Sequence, residues 1–303
     1  MYLPASIELR GSHVIVTGGS SGIGKSLVKL LLIRGAKVTV LARNEQRLRD
    51  CESELKTISN NRLLCLSVDV SSSYENVEQV IHQACEKQGP VTILINNAAI
   101  FYAKTFDETT PRDFEQMIRI NYLGVIFCTK ACMKYMYEKG YGRIVLVSSQ
   151  AGQLGIYGYT SYCATKFALR GLAEALQMEL ARSNISVTMV YPPDTDTPGL
   201  IEENKTKPIE TQLIAQTSGI LTADEVAENL IKQTLRGSFS CWFGINGFLL
   251  TCLTSGAAPV TTWLEAIYQV TFSGLARLIT IVLLQSFYGI VRKYHRQVAT
   301  PPR

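Results

Sequence analysis

Ser149, Tyr162 and Lys166 are the residues in this chain whose types and spacing are best suited to chemistry. Tyr162 and Lys166 are four positions apart, so on a helix their side chains would lie on one face. An ammonium beside a phenol favours the phenolate, so this spacing predicts a tyrosine pKa below its usual value of about 10. A serine hydroxyl upstream could hold a carbonyl or alcohol oxygen against the tyrosine. These three residues suit proton transfer on oxygen while a hydride moves to or from carbon.

A glycine-rich segment near the N-terminus could hold the other reactant of such chemistry. The β-branched run 14–16 predicts a buried strand, which leads into Thr17-Gly18-Gly19-Ser20-Ser21-Gly22-Ile23-Gly24 and then into an apolar pattern of helical period. Glycines let the backbone approach a pyrophosphate, and the N-terminus of a helix offers free N–H groups. A Tyr-x-x-x-Lys pair alone is more often a solvated helix face, but together with this turn it predicts a dinucleotide-dependent oxidoreductase.

Two other motifs overlap the same turn. Segment 19–26 matches a Walker A phosphate loop, and segment 18–22 matches the nucleophile elbow of hydrolases. The hydrolase interpretation is weak, because His82 and His295, which follow the elbow serine, have no convincing acid partner. A P-loop NTPase could use Asp69 as its magnesium-binding acid, but this leaves the tyrosine, lysine and upstream serine unexplained. A non-catalytic dinucleotide sensor is a further alternative, against which the complete catalytic set argues.

Apolar runs alternate with helical stretches over the first 235 residues. This alternation predicts an α/β fold, in which helices cover both faces of a doubly wound, mostly parallel sheet. Asp69 then lies at the end of the third strand, and Asn96 and Asn97 end the fourth. The polar, proline-interrupted segment 195–219 predicts a mobile flap over the substrate. The predicted strands are residues 14–16, 38–41, 63–68, 91–95, 144–147 and 185–191.

The residues after the second predicted strand indicate the cofactor. An acid at this edge would bind the ribose hydroxyls of NAD, but the sequence here is Ala42-Arg43-Asn44, without a carboxylate. Arg43 is placed to pair with a 2′-phosphate, and Arg47, one helical turn on, offers a second cation. NADPH is therefore the expected cofactor, the alternative being that Arg43 is only a surface charge.

From about residue 10 to residue 235 the chain resembles the short-chain dehydrogenase/reductase family, which implies a Rossmann fold. Ser149 stands 13 positions before Tyr162, the usual family spacing, and Ser148 is the fallback because only one hydroxyl of the pair need face the substrate. Ala99 departs from the glycine that is common in the family, but it adds only a methyl group. The resemblance is carried by segment 17–24, Asp69-Val70, Asn96-Asn97-Ala98-Ala99, Asn121, Ser149, Tyr162 and Lys166.

The resemblance also implies roles for individual residues. Ser149 or Ser148, Tyr162 and Lys166 would be catalytic, and Asn121 would help to hold a water that connects Lys166 to solvent. The residues expected to bind NADPH are Gly18, Ser20, Ser21, Gly22, Ile23, Gly24, Arg43, Arg47, Asp69, Val70, Asn97, Tyr162, Lys166, Pro192 and Thr195.

Two longer stretches resemble the branch of this family that reduces 3-keto sphingoid bases with NADPH in early sphingolipid synthesis. They are residues 148–155, continuing through 166–177, and residues 191–199. The run Pro192-Pro193-Asp194-Thr195-Asp196-Thr197-Pro198 is much more specific than the glycine-rich turn. The resemblance implies reduction of a long-chain 3-keto sphingoid base, 3-ketodihydrosphingosine. A steroid, a retinoid or another lipophilic ketone remains an alternative, because such enzymes share the catalytic residues.

Composition argues against several other functions. The net charge is +5, and no basic stripe carries interleaved aromatic residues, so nucleic-acid binding is not expected. The eight cysteines lack a CxxC spacing, and the pair Cys128 and Cys132 has no second ligand pair. They are interpreted as reduced packing residues of a cytosol-facing protein, and no metal is expected.

The C-terminal region has a different character. Between residues 241 and 291 the chain is apolar, and Glu265 and Arg277 are its only ionised side chains. The run 278–291 is shorter than the roughly 20 residues that span a bilayer, and the basic segment 292–296 follows it. This pattern predicts a membrane-surface helix, a re-entrant anchor, or one span if Arg277 snorkels. A hydrophobic dimer interface is the alternative.

The predicted organisation is therefore a catalytic domain over residues 1–240 and a membrane-associating region with a basic tail over residues 241–303. The first ten residues contain no signal peptide or transmembrane run, whereas sphingoid reductases can carry an N-terminal anchor, so the chain is expected to be naturally shorter or truncated. Basic flanks favour the cytoplasmic side. Location at the endoplasmic reticulum membrane, with the catalytic domain facing the cytosol, follows from the resemblance and the apolar region. A homo-oligomer is compatible with the sequence.

Overall fold

The computed structural model describes residue 4, residues 6–217 and residues 219–298. In this part of the chain seven parallel strands form one sheet, and two further short strands, β7 and β8, pair with each other. The strands are β1 (His13–Thr17), β2 (Lys37–Ala42), β3 (Leu63–Ser67), β4 (Val91–Asn96), β5 (Tyr141–Val147), β6 (Asn184–Val190), β7 (Thr195–Asp196), β8 (Leu221–Thr222) and β9 (Ser240–Cys241). The order in the sheet is β3-β2-β1-β4-β5-β6-β9.

Helices connect these strands and continue beyond them. A π-helical turn at Arg119–Leu123 and two short 3-10 turns, Gln150–Gly152 and Leu180–Arg182, interrupt or extend the α-helices. The α-helices are α1 (Gly22–Ile33), α2 (Glu45–Ser59), α3 (Tyr74–Gln88), α4 (Pro111–Ile118), α5 (Gly124–Lys139), α6 (Thr160–Glu179), α7 (Pro198–Asn204), α8 (Ile209–Ala215), α9 (Ala223–Arg236), α10 (Gly244–Leu253) and α11 (Trp263–Val298).

The predicted α/β fold is confirmed, with helices on both faces of the sheet. Val14 and Val16 pack with α1, α2 and α9 on one face, whereas Ile15 packs with α3, α5 and α6 on the other. Because helices cover both faces, all five residues of β1 are buried. This explains why the strands read as continuous apolar runs rather than as alternating patterns.

The strand order places a ligand-binding crevice at a defined point of the sheet. From β1 the chain winds outward through β2 and β3, and it then returns to add β4 on the other side of β1. Crevices in such sheets open at the carboxyl ends of the strands where the winding direction reverses. Here these ends carry the glycine-rich turn after β1 and Asn97 after β4.

The predicted flap is folded into regular elements. Segment 195–217 contains β7, α7 and α8, and Ser218 lies outside the described residues. Thr197 caps α7 by accepting a hydrogen bond from the Leu200 N–H at 3.2 Å. The methyl group of Thr197 lies beside Gly22, so α7 begins directly above the glycine-rich turn.

The C-terminal region adds one core strand and two helices. Strand β9 pairs with Met189 and Val190 of β6, which extends the sheet across residue 240, the predicted domain boundary. Helix α10 packs against α11, and α11 also packs against α8 of the flap. Phe248 joins the two helices, because its ring contacts Tyr268 and Phe272 with centroid distances of 5.2 and 5.7 Å.

Helix α11 is longer than the apolar run 278–291 suggested. It is continuous over 36 residues, or about 54 Å, because Arg277 and the polar residues before it do not interrupt the helix. The segment Trp263–Tyr294 is long and apolar enough to cross a membrane, by length and composition. The predicted basic cluster falls on the last turns of α11, where the side chains from residue 295 onward lie outside the described ones.

The two faces of α11 are reversed relative to a helix of a water-soluble protein. The buried residues of α11 are small or polar except Phe287, and Gln269 donates a hydrogen bond to Glu265 at 3.2 Å. The outward residues are large and apolar, with Val270 78% exposed. The buried set is Glu265, Gln269, Ala276, Thr280 and Phe287, and the exposed set includes Trp263, Leu264, Ile267, Val270, Leu275, Leu278 and Val282.

Candidate active site

The turn after β1 needs glycine for two separate reasons. Gly18 and Gly22 have φ values of +64° and +52°, a region in which side chains are strained. Gly24 instead packs closely against Gly18 and Asn97. A Cβ there would be 2.7 Å from the side-chain nitrogen of Asn97 and would overlap the carbonyl of Gly18. The resulting turn presents its backbone at the open N-terminus of α1, whose first turn contains no acidic residue.

Asn97 fixes this turn to the end of β4. Its side-chain amide donates to the carbonyl oxygens of Thr17 at 3.1 Å and Gly18 at 3.3 Å. In return, the Thr17 hydroxyl accepts hydrogen bonds from the N–H groups of Asn97 and Ala98, both at 3.0 Å. Asn97, which is predicted to contact the cofactor, therefore also joins the ends of β1 and β4.

One continuous cavity of about 550 Å³ collects most of the predicted cofactor residues. Gly24 is the exception, because it packs behind the turn against Gly18 and Asn97. The predicted residues that line the cavity are Gly18, Ser20, Ser21, Gly22, Ile23, Arg43, Arg47, Asp69, Val70, Asn97, Tyr162, Lys166, Pro192 and Thr195.

Arg43 and Asp69 face each other at one end of this cavity. A guanidinium nitrogen of Arg43 lies 3.8 Å from a carboxylate oxygen of Asp69, and both side chains are about half exposed. The other oxygen of Asp69 accepts hydrogen bonds from the N–H and hydroxyl of Ser71, at 2.9 and 2.7 Å. Asp69 is thus held in place, whereas Arg43 makes one long ion pair with the residues that the structure describes and remains available to a phosphate.

Ser149, Tyr162 and Lys166 meet at the centre of the cavity. The side chains of Ser149 and Tyr162 are hydrogen bonded. The oxygen of Ser149 also accepts from the Ala151 N–H at 3.1 Å, so its own proton is available to the tyrosine oxygen. Lys166 donates to the Val147 carbonyl at 2.8 Å, and its ammonium lies 5.5 Å from the centre of the Tyr162 ring.

The expected direction of the tyrosine pKa is wrong for the protein without ligands. Burial raises the pKa of Tyr162, and the hydrogen bond with Ser149 opposes this effect only in part. Burial also lowers the pKa of Lys166, to about 8. The sequence argument counted the attraction between ammonium and phenolate but not the cost of removing both charged groups from water.

The structure distinguishes the two adjacent serines. Ser148 is buried and its hydroxyl donates to the backbone carbonyl of Lys166 at 3.2 Å, so it joins β5 to α6. Ser149 lies one position on, where the alternation of an extended strand turns its hydroxyl toward Tyr162. The geometry therefore favours Ser149 for contact with a substrate oxygen.

Asn121 lies in the π-helical turn between α4 and α5, and it is fully buried. Its side chain accepts from the Ile100 N–H and donates to the Ile100 carbonyl, both at 2.8 Å, and it also donates to Thr165 at 3.1 Å. Its side chain thus holds the segment after β4 against α6, and a water relay through Asn121 remains a prediction. Extra residues of this π type recur at functional sites.

Sequence reasoning missed the apolar wall of the cavity. This wall combines residues from the segment after β4, the segment before α6, the flap and both C-terminal helices, which are far apart in the chain. No local pattern could have grouped them, because only the packing of the whole fold brings these segments together. They include Phe101, Ile156, Leu200, Leu249, Leu250, Ile279, Leu283 and Phe287.

The sequence profile of the short chain dehydrogenase family matches residues 12–208. The protein therefore belongs to this family and is an oxidoreductase, which excludes the Walker A and nucleophile-elbow interpretations of the glycine-rich turn. The turn, the Ser-Tyr-Lys cluster and the crevice at the carboxyl ends of β1 and β4 all lie within the matched part.

Closer similarity extends to particular reductases. The chain is 48% identical over 301 residues to the 3-ketodihydrosphingosine reductase of Mus musculus, covering 98% of this chain and 91% of the relative. It is 48% identical over 293 residues to the 3-dehydrosphinganine reductase of Danio rerio, covering 96% and 88%. A 3-dehydrosphinganine reductase of Arabidopsis thaliana is 37% identical over 295 residues, covering 96% and 88%. In all three, the similarity includes the region that holds α10 and α11.

Proposed function

We propose that this protein reduces 3-ketodihydrosphingosine to dihydrosphingosine with NADPH. The observation that carries the proposal is the single cavity, which joins the glycine-rich turn, the Ser149–Tyr162 pair and an apolar wall from α10 and α11. The substrate consists of a polar head with a keto group and a long alkyl chain. The names of the relatives supply its identity, and the cavity offers a polar centre and an apolar wall that suit these two parts.

The geometry supports the following reaction. The keto oxygen would accept hydrogen bonds from Ser149 and Tyr162, and NADPH, when bound at the glycine-rich turn, would supply the hydride that reduces the carbonyl carbon. Tyr162 then donates its proton to the oxygen, for which its raised pKa in the free protein keeps the proton in place. The Lys166 ammonium lies near enough to stabilise the phenolate that remains.

Arg43 and Arg47 support the choice of NADPH over NADH. Both line the end of the cavity beyond the glycine-rich turn, and the two residues between β2 and α2, Arg43 and Asn44, do not include the carboxylate expected for an NAD ribose. The positive end of α1 and these two cations together suit a ligand with several phosphate groups.

Helix α11 supports association with a membrane. Its outward face exposes large apolar side chains to water, which is costly in solution but favourable in contact with lipid. The same helix lines the cavity through Ile279, Leu283 and Phe287, so a lipid substrate could pass between bilayer and cavity along it. We place the protein at the endoplasmic reticulum membrane, with the catalytic domain in the cytosol. A dimer through this face is the alternative.

The proposed substrate is tested against other lipophilic ketones. Purified protein in detergent would be given NADPH with 3-ketodihydrosphingosine, a 3-ketosteroid or retinal, and NADPH oxidation would be followed. We expect turnover with the sphingoid ketone to exceed that with either other ketone by at least about tenfold in kcat/KM. A higher kcat/KM for the steroid or retinal would contradict the proposed substrate and leave the family and cofactor intact.

A further inference from the structure

Three charged side chains meet beside the catalytic tyrosine without taking part in the reaction described above. The ammonium of Lys207 lies 2.9 Å from a carboxylate oxygen of Glu203 and 3.7 Å from one of Asp194. The Lys207 side chain is only 2% exposed. One buried cation therefore faces two carboxylates, which leaves this cluster with an excess of negative charge when all three groups are ionised.

The two carboxylates differ in the ion pairs and hydrogen bonds that they make. Glu203 has the closer contact with Lys207, and it also accepts a hydrogen bond from the hydroxyl of Tyr159. Asp194 lies beyond hydrogen-bond distance of Lys207, and no residue that the structure describes donates a hydrogen bond to its carboxylate. The Asp194 side chain is 33% exposed, so part of its hydration is lost without replacement. Such a carboxylate gains from a cationic donor.

The position of Asp194 identifies the space that such a cation would occupy. Asp194 follows Pro192 and Pro193 after β6, and it lines the same cavity as Ser149 and Tyr162. Burial is the main cause of the raised pKa of Tyr162, and the negative charge of Asp194 adds to it, so the carboxylate lies within electrostatic range of the tyrosine. Tyr159 connects the two features, because its ring lies 5.8 Å from that of Tyr162.

We propose that Asp194 binds the ammonium group of the substrate and thereby selects amino ketones over neutral ketones. The inference rests on the proposed function, because 3-ketodihydrosphingosine carries its amino group on the carbon next to the keto carbon. When the keto oxygen lies between Ser149 and Tyr162, the ammonium is therefore close to this centre. Glu203 and Lys207 neutralise each other beside it, and Asp194 makes only a longer ion pair of 3.7 Å with Lys207, so the excess negative charge that can pair with the ligand lies on Asp194.

This arrangement also discriminates against ligands without a cation. A steroid, a retinoid or an N-acylated lipid would cover Asp194 without offering it a charged donor. Sites built to pair with a polar substrate group reject analogues that lack the group, because a buried polar atom is then left unsatisfied. Asp194 would thus act as a specificity-determining residue as well as an orienting one.

The test compares two substrates across matched variants. The substrates are 3-ketodihydrosphingosine and its des-amino analogue, in which hydrogen replaces the amino group, both in the same detergent. The variants are Asp194→Asn, the charge-retaining Asp194→Glu, and Asp196→Asn. Asp196 is the matched control, because it is an exposed carboxylate two positions on and does not line the cavity. The quantity measured is the ratio of kcat/KM for the amino ketone to that for the des-amino ketone.

We expect Asp194→Asn to lower this ratio by about 10- to 100-fold, mainly through the amino ketone, because a hydrogen bond to a charged group is lost. Asp194→Glu should retain part of the preference, and Asp196→Asn should leave the ratio unchanged. NADPH affinity, measured by fluorescence titration, should be similar in all variants. A similar affinity would show that each variant is folded.

Two results would overturn the inference, and they are distinguishable. If wild type reduces the amino ketone but Asp194→Asn leaves the ratio unchanged, or slows both substrates equally, Asp194 does not bind the ammonium. If wild type reduces neither substrate while still binding NADPH, the proposed function fails and this inference fails with it.

Discussion

Burial sets the resting protonation of the two residues that would move the proton. It raises the pKa of Tyr162, which keeps the phenol protonated throughout the neutral range. It lowers the pKa of Lys166 to about 8, so this ammonium loses its proton first as the pH rises. The basic limb of a pH profile would therefore report on the lysine rather than on the tyrosine.

We predict that kcat/KM for ketone reduction falls as the pH rises through about 8. Below that pH Lys166 is charged and can stabilise the developing phenolate, whereas above it the neutral amine cannot. The profile would be measured between about pH 6 and pH 10 with saturating NADPH.

The matched variant for this experiment is Lys166→Arg, whose guanidinium stays protonated throughout the range. Its activity is expected to be lower because the longer side chain fits less well, but its basic limb near pH 8 should disappear. A limb that persists unchanged in the arginine variant would assign the titration to another group.

Arg43 provides the residue-scale test of cofactor choice. We predict that Arg43→Asp lowers the NADPH-to-NADH ratio of kcat/KM by about 10- to 100-fold, because a charge-assisted contact with the 2′-phosphate is lost. Arg49→Asp is the matched control, since Arg49 lies on the exposed face of α2 and pairs with Glu45. An equal change of the ratio in both variants would indicate a general charge effect and contradict a specific role for Arg43.

At this scale the sequence predicted which residues form the site better than it predicted their burial and hydrogen-bond partners. The spacing of Tyr162 and Lys166 and the glycine pattern singled out residues that the structure brings to one crevice, apart from Gly24, which packs behind the turn. The pattern could not choose between Ser148 and Ser149, because that choice depends on which hydroxyl the α6 backbone occupies. Nor could it show the burial that reverses the expected tyrosine pKa, since burial depends on the whole fold.

At the scale of elements, the flap and α11 act as one cover. Helix α7 begins above the glycine-rich turn, and α8 packs against α11. Within the flap, the Thr211 hydroxyl donates to the Tyr157 carbonyl at 2.8 Å, which ties α8 to the segment before α6. Any opening of the cavity would therefore couple the flap to the C-terminal helices.

We predict that membrane binding depends on the outward face of α11. The double variant Val270→Glu with Val282→Glu places two charges on that face and should abolish flotation with liposomes, because charged groups are costly in the bilayer core. Met178→Glu is the matched control, since Met178 is 80% exposed but lies on α6. NADPH binding should persist in both.

Two outcomes would contradict this prediction. If the double variant floats as well as wild type, the outward face of α11 does not bind lipid. If it loses a dimer in detergent-free solution, measured by light scattering, while wild-type protein shows no flotation, the face is an interface between two copies instead.

At the scale of the whole molecule, one cavity extends from the carboxyl edge of the sheet to helix α11. The alternating runs predicted a parallel, doubly wound sheet but not its strand order, which fixes where the crevice opens. The short strand β9 was missed, because two residues give no periodic signal and its pairing with β6 is the only cue. The sequence also did not predict that α11 lines the cavity, because this depends on how elements that are distant in the chain pack together.

The most direct test of the proposed reaction is to measure dihydrosphingosine formed and NADPH consumed by wild type and by Tyr162→Phe, in detergent or in bilayer discs. We predict one product per NADPH for wild type, and a loss of about 10²- to 10⁴-fold in kcat for the phenylalanine variant with NADPH affinity nearly unchanged. Wild-type protein that binds NADPH but forms no dihydrosphingosine, or a phenylalanine variant that retains most of the activity, would contradict the account.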